Sequence, residues 1–160
     1  MTLEELNIEL QKLIGEIVSF KRIAGNSIII YFFGEPGEDS VVSVFIDPAW
    51  RYERQGKVLV GSYDFPFDES AFESQEEYQE TFERLCSITD NLEGAMLEDV
   101  GVNLESSDIF MKFSDRQVVR NFANSGLDEK AWSYRNHPRG LSAYVSPLGV
   151  RLRCEEGGEV

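Results

Sequence analysis

The side chains able to move a proton, attack a carbon or hold a metal are few and scattered in this chain of 160 residues. His137 is the sole histidine and sits in "NHPRG", a turn-like setting made by Pro138 and Gly140. General acid–base work needs a partner within hydrogen-bond reach, and one histidine excludes a two-histidine metal site, so His137 is expected as a surface loop residue. Ser62 in "LVGSYD" resembles a nucleophile elbow only superficially, because the Gly-x-Ser-x-Gly pattern is absent. Neither a Walker A loop nor a Gly-x-Gly-x-x-Gly turn occurs to cradle phosphate. The acidic turn formers of "GEPGEDS", 34–40, lack EF-hand spacing and are expected as a hairpin loop. Glu76 and Glu80 stand on adjacent turns of an expected helix, but an exposed helix face supplies no burial to separate their pKa values. Cys86 and Cys154 match neither a disulfide framework nor a zinc site, and Cys86 is expected as core filler. These residues point away from an enzyme, a metal or a cofactor.

What remains chemically distinctive is "DFPFDESAFESQEEYQETFE", residues 64–83. Asp64, Asp68, Glu69, Glu73, Glu76, Glu77, Glu80 and Glu83 meet no lysine or arginine there. Carboxylates at a helix start oppose the helix dipole favourably, which accounts for part of the clustering but not all of it. Phe65, Phe67 and Phe72 are interleaved ahead of the helix. Two readings stand: acidic groups with aromatic anchors form a surface for a basic protein, or the rings pin a linker to the core. On the first, Asp64, Asp68, Glu69, Glu73, Glu76, Glu77 and Glu80 supply charge and Phe65 and Phe67 supply contact area. Basic residues gather elsewhere, at Arg51, Arg54 and Lys57 and again at Arg135, Arg139, Arg151 and Arg153, so the molecule is expected to be electrically lopsided.

The elements that position this segment follow from periodicity. Thr2 followed by Glu5 is a capping box, and Leu3, Leu6, Leu10, Leu13 and Ile14 make one helix face ending at Gly15. Ser74 and Glu77 repeat the box before Tyr78, Phe82, Leu85 and Cys86, with closure near Leu92 and Gly94. After each helix the period becomes extended. "EIVSFKRIA", "SIIIYFFG", "SVVSVFID" and "WRYER" joined to "KVLVGS" through Gln55-Gly56 are matched by "AMLEDVGVNL", "DIFMKFS", "QVVRNFANS", "WSYRN" and "LSAYV". The chain's two tryptophans, Trp50 and Trp132, each open an x-Tyr strand 82 positions apart, and the helices repeat at 79. The expectation is an α+β domain over 1–160 with approximate twofold symmetry, built from an αββββ unit used twice in antiparallel sheets. The first repeat spans about 2–63, an acidic linker about 64–73, the second repeat about 74–146, and a C-terminal strand about 148–154 has no counterpart.

Fifteen lysines and arginines against 29 aspartates and glutamates give a formal charge of −14, which opposes nucleic acid and anionic membrane and favours a basic partner. The first residues have neither a basic start nor an apolar block, and no run reaches membrane-spanning length, so a cytoplasmic protein is expected, a monomer or weak homodimer. The acidic first helix, the strand-rich body and "DPAWRYERQGKVLVGSYD" make the chain resemble the small cytoplasmic immunity proteins that bacteria encode beside polymorphic or contact-dependent toxins. The resemblance implies a non-enzymatic protein that binds a toxin domain, often a nuclease, by covering its basic groove. A different expectation is a small-molecule-binding or regulatory domain with a pocket between the repeats, lined by Trp50, Tyr52, Trp132 and Tyr134.

Overall fold

Helix α1, Leu3–Gln11, forms because its end groups are satisfied and its apolar residues share a face. Thr2 Oγ1 accepts the Glu5 N–H at 3.1 Å and the Glu5 carboxylate accepts the Thr2 N–H at 2.7 Å, the reciprocal cap that the sequence predicts. Leu6, Leu10 and the following Leu13 are buried in the core. Each such leucine stabilises the fold by about 1.5–3 kcal/mol through area removed from water. The computed structural model describes residues 1–66, 68–122 and 129–154.

Five strands follow: β1 Val18–Ala24, β2 Ser27–Phe32, β3 Val42–Ile46, β4 Trp50–Arg54 and β5 Lys57–Gly61. Helix α2, Gln75–Ser87, opens the second half, and β6 Leu97–Val102, β7 Ile109–Phe113, β8 Gln117–Asn121, β9 Trp132–Asn136, β10 Leu141–Ser146 and β11 Gly149–Cys154 complete it. All pairings are antiparallel, in two sheets ordered β1-β2-β3-β9-β10-β11 and β5-β4-β8-β7-β6. The protein is therefore α+β, as expected. The first half holds a helix and five strands rather than the four expected, because Gln55 (φ 52°) and Gly56 (φ 81°) take the left-handed conformation of a tight hairpin turn and separate β4 from β5.

The sheet orders carry a feature that local patterning does not disclose. Each half lays three strands into one sheet and sends its next two into the other, so that β3 pairs with β9 and β8 pairs with β4. Exchanging the halves converts β1-β2-β3-β9-β10 into β6-β7-β8-β4-β5. The hydrogen bonds follow suit. Gly15 N–H donates to Leu97 C=O at 2.8 Å while Gly94 N–H donates to Val18 C=O at 2.9 Å, on either side of the Ile17–Met96 bridge. At the sheet-switching points, Asp47 N–H donates to Ala131 C=O at 3.0 Å and Phe122 N–H donates to Ala49 C=O at 2.8 Å.

The inner faces of both sheets belong to one contiguous core. Ile28, Ile30, Phe32, Trp132 and Tyr134 from one face meet Trp50, Tyr52, Met111, Phe113 and Val119 from the other, as alternation along strands packed face to face requires. Each indole N–H is satisfied by a hairpin carbonyl of its own half: Trp50 Nε1 donates to Asn26 C=O and Trp132 Nε1 to Ser107 C=O, both at 2.7 Å. Buried indoles without such a partner would be costly.

The helices are not equivalent in depth. Helix α2 buries no residue completely, and Phe82, Leu85 and Cys86 only lean on the core. Burial still pushes the Cys86 thiol up, in keeping with a packing role. The C-terminal end of α2 is fastened by the buried Lys21, whose Nζ donates to Cys86 C=O at 2.8 Å and pairs with Asp90 at 2.7 Å. A cation there opposes the negative end of the helix dipole. Among the described residues no helix is long and apolar enough to cross a membrane.

Candidate functional site

The acidic segment leaves β5 through a short 3-10 turn at Ser62–Asp64. Asp64 accepts the Gly61 N–H at 2.8 Å, which fixes the departure angle. Phe65 then turns inward and is 1% exposed. Its ring lies 5.9 Å from Trp50 and 5.6 Å, edge-on, from Phe82 of α2. Phe72 meets Tyr78 edge-on at 5.4 Å, and Tyr78 stacks on Phe82 at 6.4 Å. An aromatic ladder thus mounts α2 on the sandwich, with Phe65 as its innermost rung. This corrects the expectation of Phe65 as a partner-contacting anchor: a side chain packed into the core presents no surface to a partner. Phe67, the other expected anchor, lies outside the described residues.

The carboxylates divide into two groups. Asp68 accepts the Ser70 N–H at 2.8 Å, and hydrogen bonding from Ser70 holds its carboxyl below the usual range. Glu77 accepts the Glu73 N–H at 2.9 Å while Ser74 Oγ accepts the Glu77 N–H at 3.1 Å, so Glu77 belongs to the helix cap. Glu69, Glu73, Glu76 and Glu80 are exposed and carry no ion pair among the described residues. Asp64, Asp68 and Glu77 are exposed as well. The segment is therefore a ridge of negative charge whose shape is set by local caps and whose base is set by the ring ladder.

The pocket expected between the repeats is not where the sequence placed it. Trp50, Tyr52, Trp132 and Tyr134 are all buried, with exposures from 0% to 2%. Tyr52 donates its phenol O–H to Gln117 Oε1 at 2.7 Å, and the Tyr134 hydroxyl accepts from Asn136 Nδ2 at 3.1 Å. These aromatics fill the interior. The seam between the halves instead carries a groove of about 420 Å³ on the outer face of the six-stranded sheet.

Pairing across that sheet arranges the outer face in two rows. Arg22, Ile29, Phe45, Ser133, Tyr144 and Arg151 stand side by side, as do Phe20, Tyr31, Ser43, Arg135, Ser142 and Arg153. Neither row contains a carboxylate. Lys130 stands at one end of the groove, its Nζ 4.1 Å from the Phe45 ring centroid and 3.1 Å from Asp47. Hydrogen bonding from Arg153, opposed by burial and aided by Arg135, holds the Tyr144 phenol below its ordinary range. Burial pushes Tyr31 the other way, outweighing the pull of Arg22 and Arg135. His137, expected on a surface loop, sits in a short 3-10 turn at the groove's rim.

The matching face of the five-stranded sheet is neutralised. Three residues after Trp132 comes Arg135; three after Trp50 comes Glu53. Glu53 accepts from Arg51 Nε at 2.6 Å and pairs with Arg120 at 3.2 Å, and Lys112 pairs with Asp99 at 3.3 Å. Sequence reasoning noted the arginines near the C-terminus but not that β3 and β9 pair. That pairing alone brings Tyr31 and Phe45 beside Arg135 and Tyr144. Among the described residues no group of His, Cys, Asp and Glu is placed to hold a metal ion. Comparison with protein-family models, curated proteins and solved structures yields no match to this chain.

Proposed function

We propose that this protein is a non-enzymatic binding protein whose acidic ridge captures a basic protein partner, in the manner of the bacterial immunity proteins it resembles. The partner on this reading is a toxin domain with a cationic groove, such as a nuclease, and the compartment is the cytoplasm. The observation that carries the proposal is the ridge itself. Glu69 and Glu73 just ahead of α2, and Glu76 and Glu80 on it, are exposed and carry no ion pair among the described residues, and α2 buries nothing completely while its ladder of rings holds it to a filled core. Unquenched charge on a rigid mount accelerates encounter with an oppositely charged surface and penalises like-charged competitors. The same reading takes the matched strand orders and reciprocal hydrogen bonds as the trace of an internal duplication, which supplied a stable scaffold and left its surfaces free to diverge.

The test uses paired affinity capture from cells of the source organism with wild-type protein and with a variant carrying Glu73→Lys, Glu76→Lys, Glu77→Lys and Glu80→Lys. A basic protein retained by the wild type at low salt and lost by the variant is expected. Co-expression should then protect cells from the captured protein's toxicity. Equal capture by both proteins would remove the ridge from the account.

A further inference from the structure

We propose that the groove at the β3–β9 seam is a binding site for a neutral carbohydrate of one or two rings. The inference is independent of the acidic ridge. A volume of about 420 Å³ falls within the range of small-molecule sites. Serine hydroxyls line its floor. Ser43 of β3 and Ser142 of β10 stand on either side of β9 in one row, and Ser133 of β9 lies between Phe45 and Tyr144 in the next. Ser142 is only 3% exposed, yet its hydroxyl makes no hydrogen bond among the described residues. The half-buried Ser43 and Ser133 are likewise without a side-chain partner there. A hydroxyl shut away from bulk solvent is costly unless a water or a ligand pairs with it, and the groove is where such a partner reaches Ser142.

The walls select the kind of ligand. Tyr144 presents a half-buried ring beside the serines, and hydrogen bonding of its phenol by Arg153 and Arg135 fixes that ring in place. The C–H face of a sugar packs against such a ring, while its hydroxyls, which both donate and accept, match serines that do the same. Charge around the groove is already engaged: Lys130 pairs with Asp47 at 3.1 Å and lies over the Phe45 ring, and Arg135 and Arg153 hold Tyr144. An uncharged ligand therefore fits. Adjacent strands lie about 4.8 Å apart, so Ser43 and Ser142 span roughly 10 Å, a length that two linked sugar rings cover. The other sheet holds different chemistry at these positions. In its matching strand order Val118 and Val58 take the places of Ser43 and Ser142, and Arg51, locked to Glu53, takes that of Ser133. The hydroxyls thus belong to the groove and not to the strand pattern common to both sheets.

The test is calorimetric titration of the full chain with glucose, maltose, cellobiose and lactose, with sorbitol as a polyol lacking a ring and adenosine monophosphate as a charged ring ligand. Nuclear magnetic resonance shifts at Ser43, Ser133 and Ser142 would locate the binding. Saturable binding of at least one of the four sugars is expected, with little change from low salt to about 0.5 M. Ser142→Ala and Tyr144→Leu should each weaken it about fivefold or more, one through the hydroxyl and the other through the ring. Thermal melts confirm that each variant folds, and Arg51→Gln, on the outer face of the other sheet, should leave binding unchanged. Absence of saturation by all four sugars at tens of millimolar, sorbitol or adenosine monophosphate binding as tightly as the best sugar, or unchanged affinity in either folded groove variant would overturn the proposal.

Discussion

Replacing Phe65 by alanine separates two roles for one ring. As a surface anchor Phe65 would matter to binding and little to stability, whereas the structure places it 1% exposed between Trp50 and Phe82. Truncating a phenylalanine so enclosed removes its transfer free energy and leaves a cavity, a combined loss of about 3–5 kcal/mol. That is a large share of the roughly 5–15 kcal/mol by which domains are stable. For a chain of this length it corresponds to a fall in Tm of roughly 6–20 °C, at about 2–4 °C per kcal/mol. Urea denaturation followed by tryptophan fluorescence is the natural assay, since Trp50 lies against the deleted ring. The midpoint should fall with little change in slope, because the surface exposed on unfolding is nearly the same. A shift below about 0.5 kcal/mol, the level typical of surface changes, would refute the core assignment of Phe65 and with it the ladder that mounts α2.

The remaining predictions concern hydrogen bonding and charge. Trp132→Phe strands the carbonyl of the buried Ser107 and should cost about 1–3 kcal/mol from that bond, whereas Trp50→Phe should cost less because the half-buried Asn26 can turn to water. Equal urea midpoints for the two variants would contradict the difference in burial. Glu9 accepts from Lys12 at 2.6 Å and also pairs with Arg139, and the Lys12 hydrogen bond is the largest cause holding its carboxyl below 4.5. A depressed folded-state pKa contributes stability in full above the unfolded value, and that contribution is lost as pH falls through the folded one. Glu9→Gln should therefore narrow its stability deficit to wild type as pH is lowered from neutrality to about 3, and a constant deficit in urea midpoints would exclude the linkage.

Much of the fold was legible because its determinants are local. The Thr2–Glu5 cap, the leucine stripe of α1 and the alternation along Val42–Ile46 each act within a few residues, and each produced the expected element. Strand partners are a different kind of fact. Nothing in "WRYER" states that β4 leaves its own half to pair with β8, since the same alternating face would satisfy either sheet. The candidate pocket was misplaced for the same reason. Trp50 and Trp132 were correctly read as core aromatics, but a groove on the outside of a sheet depends on which strands are neighbours. The acidic segment was visible as composition, while the inward turn of Phe65 depends on the space left between Trp50 and α2.

The most direct measurement of the central claim is the association rate of wild type and the four-fold lysine variant with the captured basic protein, followed from low salt to about 0.5 M. The account predicts a low-salt rate for the wild type at least about tenfold above that of the variant, with the two converging as salt screens the ridge. Rates that agree at every ionic strength would show that the exposed carboxylates of the ridge do not guide the partner.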